Sequence, residues 1–202
     1  EYKIVREIID GEGDYANNYL KGLEYVTLML NKNSFDKEAT KLGGELYEKL
    51  EEYEKALEYI NRSIELDPNY GVNNRYIAKG YFLYKYFNEK EEEALALYNK
   101  AIELDPERAN SYYWRGAYFE DEKNWAMALA DYKKAVELDP DGSDSYFKIA
   151  FVSVRLEDYD LALSTYLQYL EKFGNNRVVY NNIALLYQNG LENYEKAIEY
   201  FD

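Results

Sequence analysis

The chain of 202 residues is acidic, with 39 Asp and Glu against 24 Lys and Arg and a formal net charge of −15 at pH 7. That charge disfavours nucleic acid and anionic membrane surfaces as partners, because both are bound by clustered basic residues. The sequence has no cysteine and no histidine, which excludes disulfides, thiolate nucleophiles and the commonest general base. No apolar run approaches the roughly 20 residues that cross a bilayer, so we expect no membrane insertion.

The first predicted element is a helical hairpin over residues 1–36. The stretches YKIVREII (2–9) and NYLKGLEYVTLML (18–30) are separated by GDY (13–15), at a place suited to a turn. These residues match the repeat described next only loosely. We therefore predict a degenerate N-terminal hairpin.

The rest of the chain repeats itself. The pentapeptide IELDP occurs at 64–68 and 102–106, and VELDP occurs at 136–140. Apolar or small residues precede each at the helical period, and Asp-Pro ends the helix because the residue before proline is pushed out of the α region. A second helical stretch, such as SYYWRGAYFED (111–121), lies upstream of each. The unit is therefore a helical hairpin, and its recurrence indicates a repeat array.

Three positions of the unit carry the pattern when its proline is counted as position 32. Small residues let two helices approach closely, and large ones fill the space between hairpins. Position 8 is Gly44, Ala78, Gly116, Ala150 and Ala184; position 20 is Ala56, Ala94, Ala128, Ala162 and Ala197; position 24 is Ile60, Tyr98, Tyr132, Tyr166 and Phe201.

This pattern resembles the tetratricopeptide repeat, a helical hairpin of about 34 residues. The resemblance implies an all-α fold, a right-handed α-solenoid of antiparallel helical hairpins in one continuous domain. About five repeats are predicted, and we expect the natural chain to continue beyond the last, which stops inside its second helix. Their ranges are 37–70, 71–108, 109–142, 143–176 and a truncated 177–202.

Two departures predict local differences. The second repeat has four additional residues within FLYKYFNEKEEE (82–93), so its first helix or its turn should be longer. The fourth repeat has Gly174 where the others have proline and bulky Tyr169 where a small residue is expected. We predict an altered angle and higher mobility at that junction than at Pro68 or Pro106. Six tyrosines are assigned to packing positions: Tyr47, Tyr81, Tyr98, Tyr132, Tyr159 and Tyr187.

The resemblance also implies a concave groove lined by the first helices of successive hairpins. Aromatic residues beside Arg and Lys are typical of a binding surface. The candidate groove residues are Arg75, Tyr76, Lys79, Tyr113, Trp114, Phe147, Lys148, Phe151, Arg155, Asn181 and Asn182. The same register places Phe82, Leu83, Glu120, Asp121 and Asp144 at groove positions. The alternative is that a flanking helix covers the groove.

The sequence thus predicts a non-catalytic protein–protein interaction scaffold without cofactor or metal. Its partner would be a peptide with apolar or aromatic side chains and a carboxylate. The chaperone-tail clamp of this family is disfavoured, because Trp114 replaces the Asn of that clamp and Asp144 opposes an acidic ligand. Two alternatives stay open: an accessory region of a larger enzyme or signalling protein, and a module that self-associates through terminal hairpins. The expected location is cytoplasmic, with export after signal removal left open.

Overall fold

The structure is a computed structural model that describes residues 2–10, 14–66 and 72–201. Within these ranges the regular elements are helices, and no strand occurs. The chain divides into two compact units, Glu1–Leu97 and Tyr98–Asp202. In the part of the chain that is described, no helix combines the length and apolarity needed to cross a membrane.

The helices follow one another with short connections. Neighbouring helices pack as antiparallel pairs from the first to the fifth helix in one unit and from the seventh to the twelfth in the other. A short 3-10 helix, Asn88–Lys90, precedes the sixth α-helix. The α-helices are α1 (Tyr2–Ile9), α2 (Tyr15–Lys32), α3 (Lys37–Lys49), α4 (Tyr53–Leu66), α5 (Val72–Tyr86), α6 (Glu91–Leu104), α7 (Ala109–Asp121), α8 (Trp125–Leu138), α9 (Ser143–Arg155), α10 (Tyr159–Phe173), α11 (Arg177–Asn189) and α12 (Tyr194–Phe201).

A common turn joins the two helices of several hairpins. Glu51, Lys123 and Glu157 adopt left-handed backbone conformations, with φ angles of 60°, 57° and 59°. In each case the next residue donates its backbone N–H to a carbonyl five residues earlier, at 2.8–2.9 Å. This arrangement satisfies carbonyls at the end of the first helix, as in a Schellman motif. The following helix then begins with Asn124 or Asp158 as a side-chain cap in the two later hairpins.

The N-terminal unit is built on a shared apolar core. Val5 of α1 and Val26 of α2 are buried together with Leu42 and Leu46 of α3. The Arg6 guanidinium adds an ion pair to Glu45 at 2.8 Å. The first two helices therefore pack on α3 in the way that one hairpin packs on the next.

The structure confirms most of the packing positions that the repeat predicted. At position 20 all five alanines are buried, and at position 8 so are Gly44, Gly116, Ala150 and Ala184. The side chains of Tyr98, Tyr132 and Tyr166 at position 24 are at most 2% exposed. The first Asp-Pro, at 67–68, and the side chain of Phe201 lie outside the described residues.

Helix α5 contradicts the predicted register. Ala78 is exposed and Tyr81 is 40% exposed, although both were expected to pack. Ile77, Phe82 and Leu83 are buried instead. Of the two predicted groove positions, Leu83 is therefore enclosed, whereas Phe82 still borders the pocket described below.

The buried small residue of α5 is Gly80, two residues beyond Ala78. Helix α5 has 15 residues against 13 in α3 and α7, and the 3-10 helix follows it. The sequence predicted that either the first helix or the turn would be longer, and both are. Each residue turns the helix by about 100°, so a displacement of two residues turns Ala78 away from the packing face.

The junction between α10 and α11 differs chemically from the Asp-Pro turns. Gly174 ends α10 with φ at +83°, a conformation that suits glycine. The Asn176 side chain caps α11 by accepting from Val178 and Val179, and its amide donates to the Tyr169 hydroxyl at 3.2 Å. Tyr169 is therefore bonded to the start of α11. The altered angle and mobility stay predictions.

A substitution at position 20 tests how tightly the hairpin helices pack. Ala128 is 0% exposed, and a Cβ at Gly116 would lie 3.0 Å from the Tyr132 ring. We expect Ala128→Leu to lower the free energy of unfolding by about 1–3 kcal/mol through overpacking. Urea unfolding measures the loss, with Ala126→Leu on the exposed side of α8 as the matched control. Equal stability of the two variants would contradict the close α7–α8 contact.

Candidate functional site

In the N-terminal unit a pocket of about 770 Å³ lies among α3, α4 and α5. Arg75 lines this pocket and donates to the Ser63 carbonyl at 3.0 Å. Lys79 is also half-buried but forms an ion pair with Glu93 of α6 at 3.3 Å. The two predicted cations of this helix therefore have different partners within the protein. Tyr76 is half-buried on the same helix.

The lining of this pocket carries both charges. Lys37 and Lys41 are accompanied by Glu38, Glu45 and Glu48. The sequence prediction missed these α3 residues, because its site list began at the second repeat. Because the lining carries both positive and negative side chains, it does not indicate whether a ligand would be acidic or basic.

In the C-terminal unit a cavity of about 410 Å³ lies between the first halves of α7 and α9 and beside the α8–α9 turn. Two predicted groove residues, Tyr113 and Trp114, line it. Their rings meet edge to face, with centroids 5.7 Å apart. We call this the Trp114 cavity, and its lining is Ala109, Asn110, Tyr113, Trp114, Asp139, Gly142, Asp144 and Ser145.

The surroundings of the Trp114 cavity are electronegative. Burial raises the pKa of Tyr113 above its usual value, and the carboxylates of Asp144 and Glu120 raise it further. Burial likewise raises the pKa of Asp121, with Glu120 contributing. The larger part of each effect is the cost of placing a negative charge where water is excluded, and the neighbouring carboxylates add to that cost.

Glu120 joins two helices beside this cavity. Its carboxylate accepts from the Tyr132 hydroxyl at 2.7 Å and from the Lys148 ammonium at 2.6 Å. The Glu120 side chain is 12% exposed. Burial, followed by the bond to Glu120, raises the pKa of Tyr132 well above its usual range. Lys148, predicted to face a ligand, is thus already bonded within the protein.

Further along α9 lies a cation supported by aromatic rings. The Arg155 guanidinium carbon is 5.0 Å from the Phe151 ring centroid and 6.0 Å from that of Trp125. Arg155 is exposed, and among the described residues no carboxylate lies within 4.0 Å of it. Phe147, one turn away from Phe151, packs edge to face on Tyr166 at 6.1 Å.

The two asparagines of α11 have different surroundings. The Asn182 amide donates to the Tyr166 hydroxyl at 3.2 Å, whereas Asn181 is exposed. Neither lines the Trp114 cavity. The predicted site residues of this unit therefore lie in three separate regions: the Trp114 cavity, the Phe151–Arg155 end of α9, and α11.

Sequence reasoning placed Asp144 and Glu120 in the groove. It took Asp144 only as opposing an acidic ligand and assigned Glu120 no role. The sequence carries no signal for the Glu120–Lys148 bond, because the two residues lie on different hairpins. No group of three or more acidic residues that could hold a metal ion occurs in the ranges described above.

Family models match most of the chain from residue 44 onwards. The model described as TPR repeat matches 88–122. Three further models are described as tetratricopeptide repeat. One matches both 44–70 and 109–141, the second matches 144–176 and the third matches 178–202. Together they cover more than half of the sequence. No curated protein sequence matches the chain.

Several solved structures share the fold. PilW, a widely conserved type IV pilus biogenesis factor, is similar with a TM-score of 0.73 and 17% identity, over 98% of this chain and 87% of PilW. YrrB, described as a TPR protein with an unusual peptide-binding site, has a TM-score of 0.63 and 24% identity, over 88% and 89%. MamA from Desulfovibrio magneticus has a TM-score of 0.64 and 20% identity, over 84% and 91%.

Proposed function

Because the chain belongs to the tetratricopeptide repeat family, we propose that it is a non-catalytic interaction scaffold that binds a peptide segment of a partner protein. The observation that carries this proposal is the Trp114 cavity, where two aromatic side chains open on a concave site of about 410 Å³. Small concave sites with apolar walls and a few polar groups are the usual form of a binding site.

The neighbouring surface extends the site along α9. Phe151 and Arg155 lie on the same side of the helix as Lys148, since residues three to four apart share a helical face. An aromatic anchor that is fully desolvated by a partner commonly costs at least about 2 kcal/mol on truncation. We propose that partner side chains pack against Trp114 and Phe151, with apolar or aromatic ones on Phe151 and the backbone of the peptide reaching Asn181.

The partner carboxylate is proposed to bind at Arg155. Lys148 is bonded to Glu120 and Lys79 to Glu93, so both are already neutralised. Arg155 is exposed and held over Phe151. The likeness to YrrB, itself described as having a peptide-binding site, is consistent with a peptide ligand. Self-association remains the alternative function, favoured by Tyr194 and Ile198 of α12, which are 63% and 62% exposed.

Selection from a random peptide library on the full chain tests the proposal. We expect the selected peptides to bind the Trp114→Ala variant at least about 30-fold more weakly, which corresponds to the loss of one aromatic anchor. Arg155→Ala should weaken binding by a smaller factor and reduce its dependence on salt.

The matched control is Tyr194→Ala, which removes an exposed aromatic residue from α12. Isothermal titration calorimetry compares the variants. If the selected peptides bind Trp114→Ala as tightly as the unaltered chain, the binding surface does not include Trp114 and the proposal is wrong.

A further inference from the structure

We propose that the Trp114 cavity takes the cationic side chain of an arginine or lysine of the bound peptide. This inference rests on the proposed peptide-binding function and names the ligand chemistry of one part of the site. The peptide would then place a positive side chain in this cavity and the carboxylate proposed above at Arg155.

The cavity offers two kinds of group that attract a cation. Tyr113 and Trp114 present aromatic rings, whose faces are negative and attract ammonium or guanidinium groups. Asp139 and Asp144 present carboxylates to the same cavity. A guanidinium can lie against a ring and donate to a carboxylate at once, because it is planar and has five N–H donors.

The carboxylate of Asp144 is available for such a ligand. Asp144 is exposed at the start of α9, and among the described residues no Lys or Arg nitrogen lies within 4.0 Å of it. Asp139 accepts from the backbone N–H of Asp141 at 3.2 Å through Oδ1, which leaves its second oxygen as a further acceptor.

The nearby cations are bonded to other carboxylates. Lys148 is 2.6 Å from Glu120, and Lys172 is 3.0 Å from Asp141 on the α8–α9 turn. Neither therefore neutralises Asp144. An acidic ligand side chain would be repelled there, and a purely apolar one would remove water from a carboxylate without replacing its hydrogen bonds.

The two charged ends of α9 set a spacing in the peptide. Asp144 and Arg155 are eleven residues apart in one helix, which corresponds to about 16 Å at 1.5 Å per residue. An extended peptide covers that distance in about five residues. The peptide we infer has a basic residue about five positions from an acidic one, with apolar residues between them.

A small probe tests the cavity without a peptide. We propose titrating the full chain, labelled with ¹⁵N-tryptophan, with N-acetyl-arginine amide. N-acetyl-citrulline amide is the control ligand, because a neutral urea of similar shape replaces the guanidinium. The two tryptophan indole signals are assigned with Trp114→Phe.

We expect a saturable shift of the Trp114 indole with the arginine derivative, and at least about tenfold weaker binding of the citrulline derivative. Asp144→Asn should weaken arginine binding at least about fivefold. The matched control is Asp160→Asn, since Asp160 is the second residue of α10 as Asp144 is of α9. It removes the same helix-terminal charge away from the cavity.

Three results would overturn the inference: no saturable shift at Trp114, equal binding of both derivatives, or equal effects of Asp144→Asn and Asp160→Asn. Its failure is distinguishable from failure of the proposed function. Library peptides that depend on Trp114 but lack a basic residue would retain the function and refute the cation site. Arginine binding at Trp114 without any peptide binders would retain the cation site and refute the peptide scaffold.

Discussion

Replacing Arg115 by methionine is expected to lower the free energy of unfolding by about 3–5 kcal/mol. The Arg115 guanidinium donates two hydrogen bonds of 2.7 Å to the Asp131 carboxylate and a third of 2.7 Å to Asn99. Asp131 is 5% exposed, so the variant leaves a buried carboxylate without its counter-charge. The bonds to Asp131 raise the pKa of Arg115 despite its burial, which shows that the pair favours the charged form.

Urea unfolding measures this effect, and two variants control it. Arg115→Met combined with Asp131→Leu should recover most of the lost stability, because removing both charges also removes the unpaired one. Lys134→Met breaks the exposed pair with Glu137 and should cost far less than Arg115→Met, because water screens an exposed ion pair. If Arg115→Met and Lys134→Met cost the same, the buried pair does not stabilise the α7–α8 hairpin.

Replacing Tyr132 by alanine is expected to cost about 3–5 kcal/mol, the usual range for emptying a buried aromatic site. Tyr132 is 0% exposed and belongs to the core with Ala128, Ile149 and Val152. Tyr132→Phe keeps the ring and removes only the hydroxyl that donates to Glu120. A hydrogen bond to a charged group contributes about 1.5–3 kcal/mol, so the two variants separate packing from the hydrogen bond.

The equivalent tyrosine of the next repeat gives the matched control. Tyr166 is 2% exposed, but its hydroxyl accepts from the neutral Asn182 amide at 3.2 Å. We expect Tyr166→Phe to cost only about 0.5–1.5 kcal/mol. Chemical denaturation of both Phe variants makes the comparison. A Tyr166→Phe cost equal to or above that of Tyr132→Phe would mean that the Glu120 carboxylate adds nothing to the hydrogen bond.

Tyr132 also connects the core to the surface that we propose as the binding site. Tyr132 packs on the cavity residue Tyr113, with ring centroids 5.6 Å apart, and holds Glu120. Glu120 in turn holds Lys148 on α9. The position-24 tyrosine of the core is therefore bonded to the surface on which we propose that a peptide binds.

The sequence alone determined the helical hairpins of this protein. Ala56, Ala128 and Ala162 recur where two helices touch, and the structure buries each of them. A repeat can be read in this way because each hairpin packs mainly on its own partner helix and on its neighbours. The helix–helix contacts then join residues that are only a few tens of positions apart in the sequence, and these contacts recur at a constant spacing.

Only the tertiary structure decided which face of α5 is buried and which groove side chains are available. Ala78 was misplaced because the buried small residue of α5 is Gly80, two residues further on. The spacing of the repeat does not show where additional residues are absorbed. Lys148 was assigned to a ligand because its partner Glu120 lies on another hairpin. Charge pairs of this kind depend on distances between helices, and residue spacing along one helix does not contain those distances.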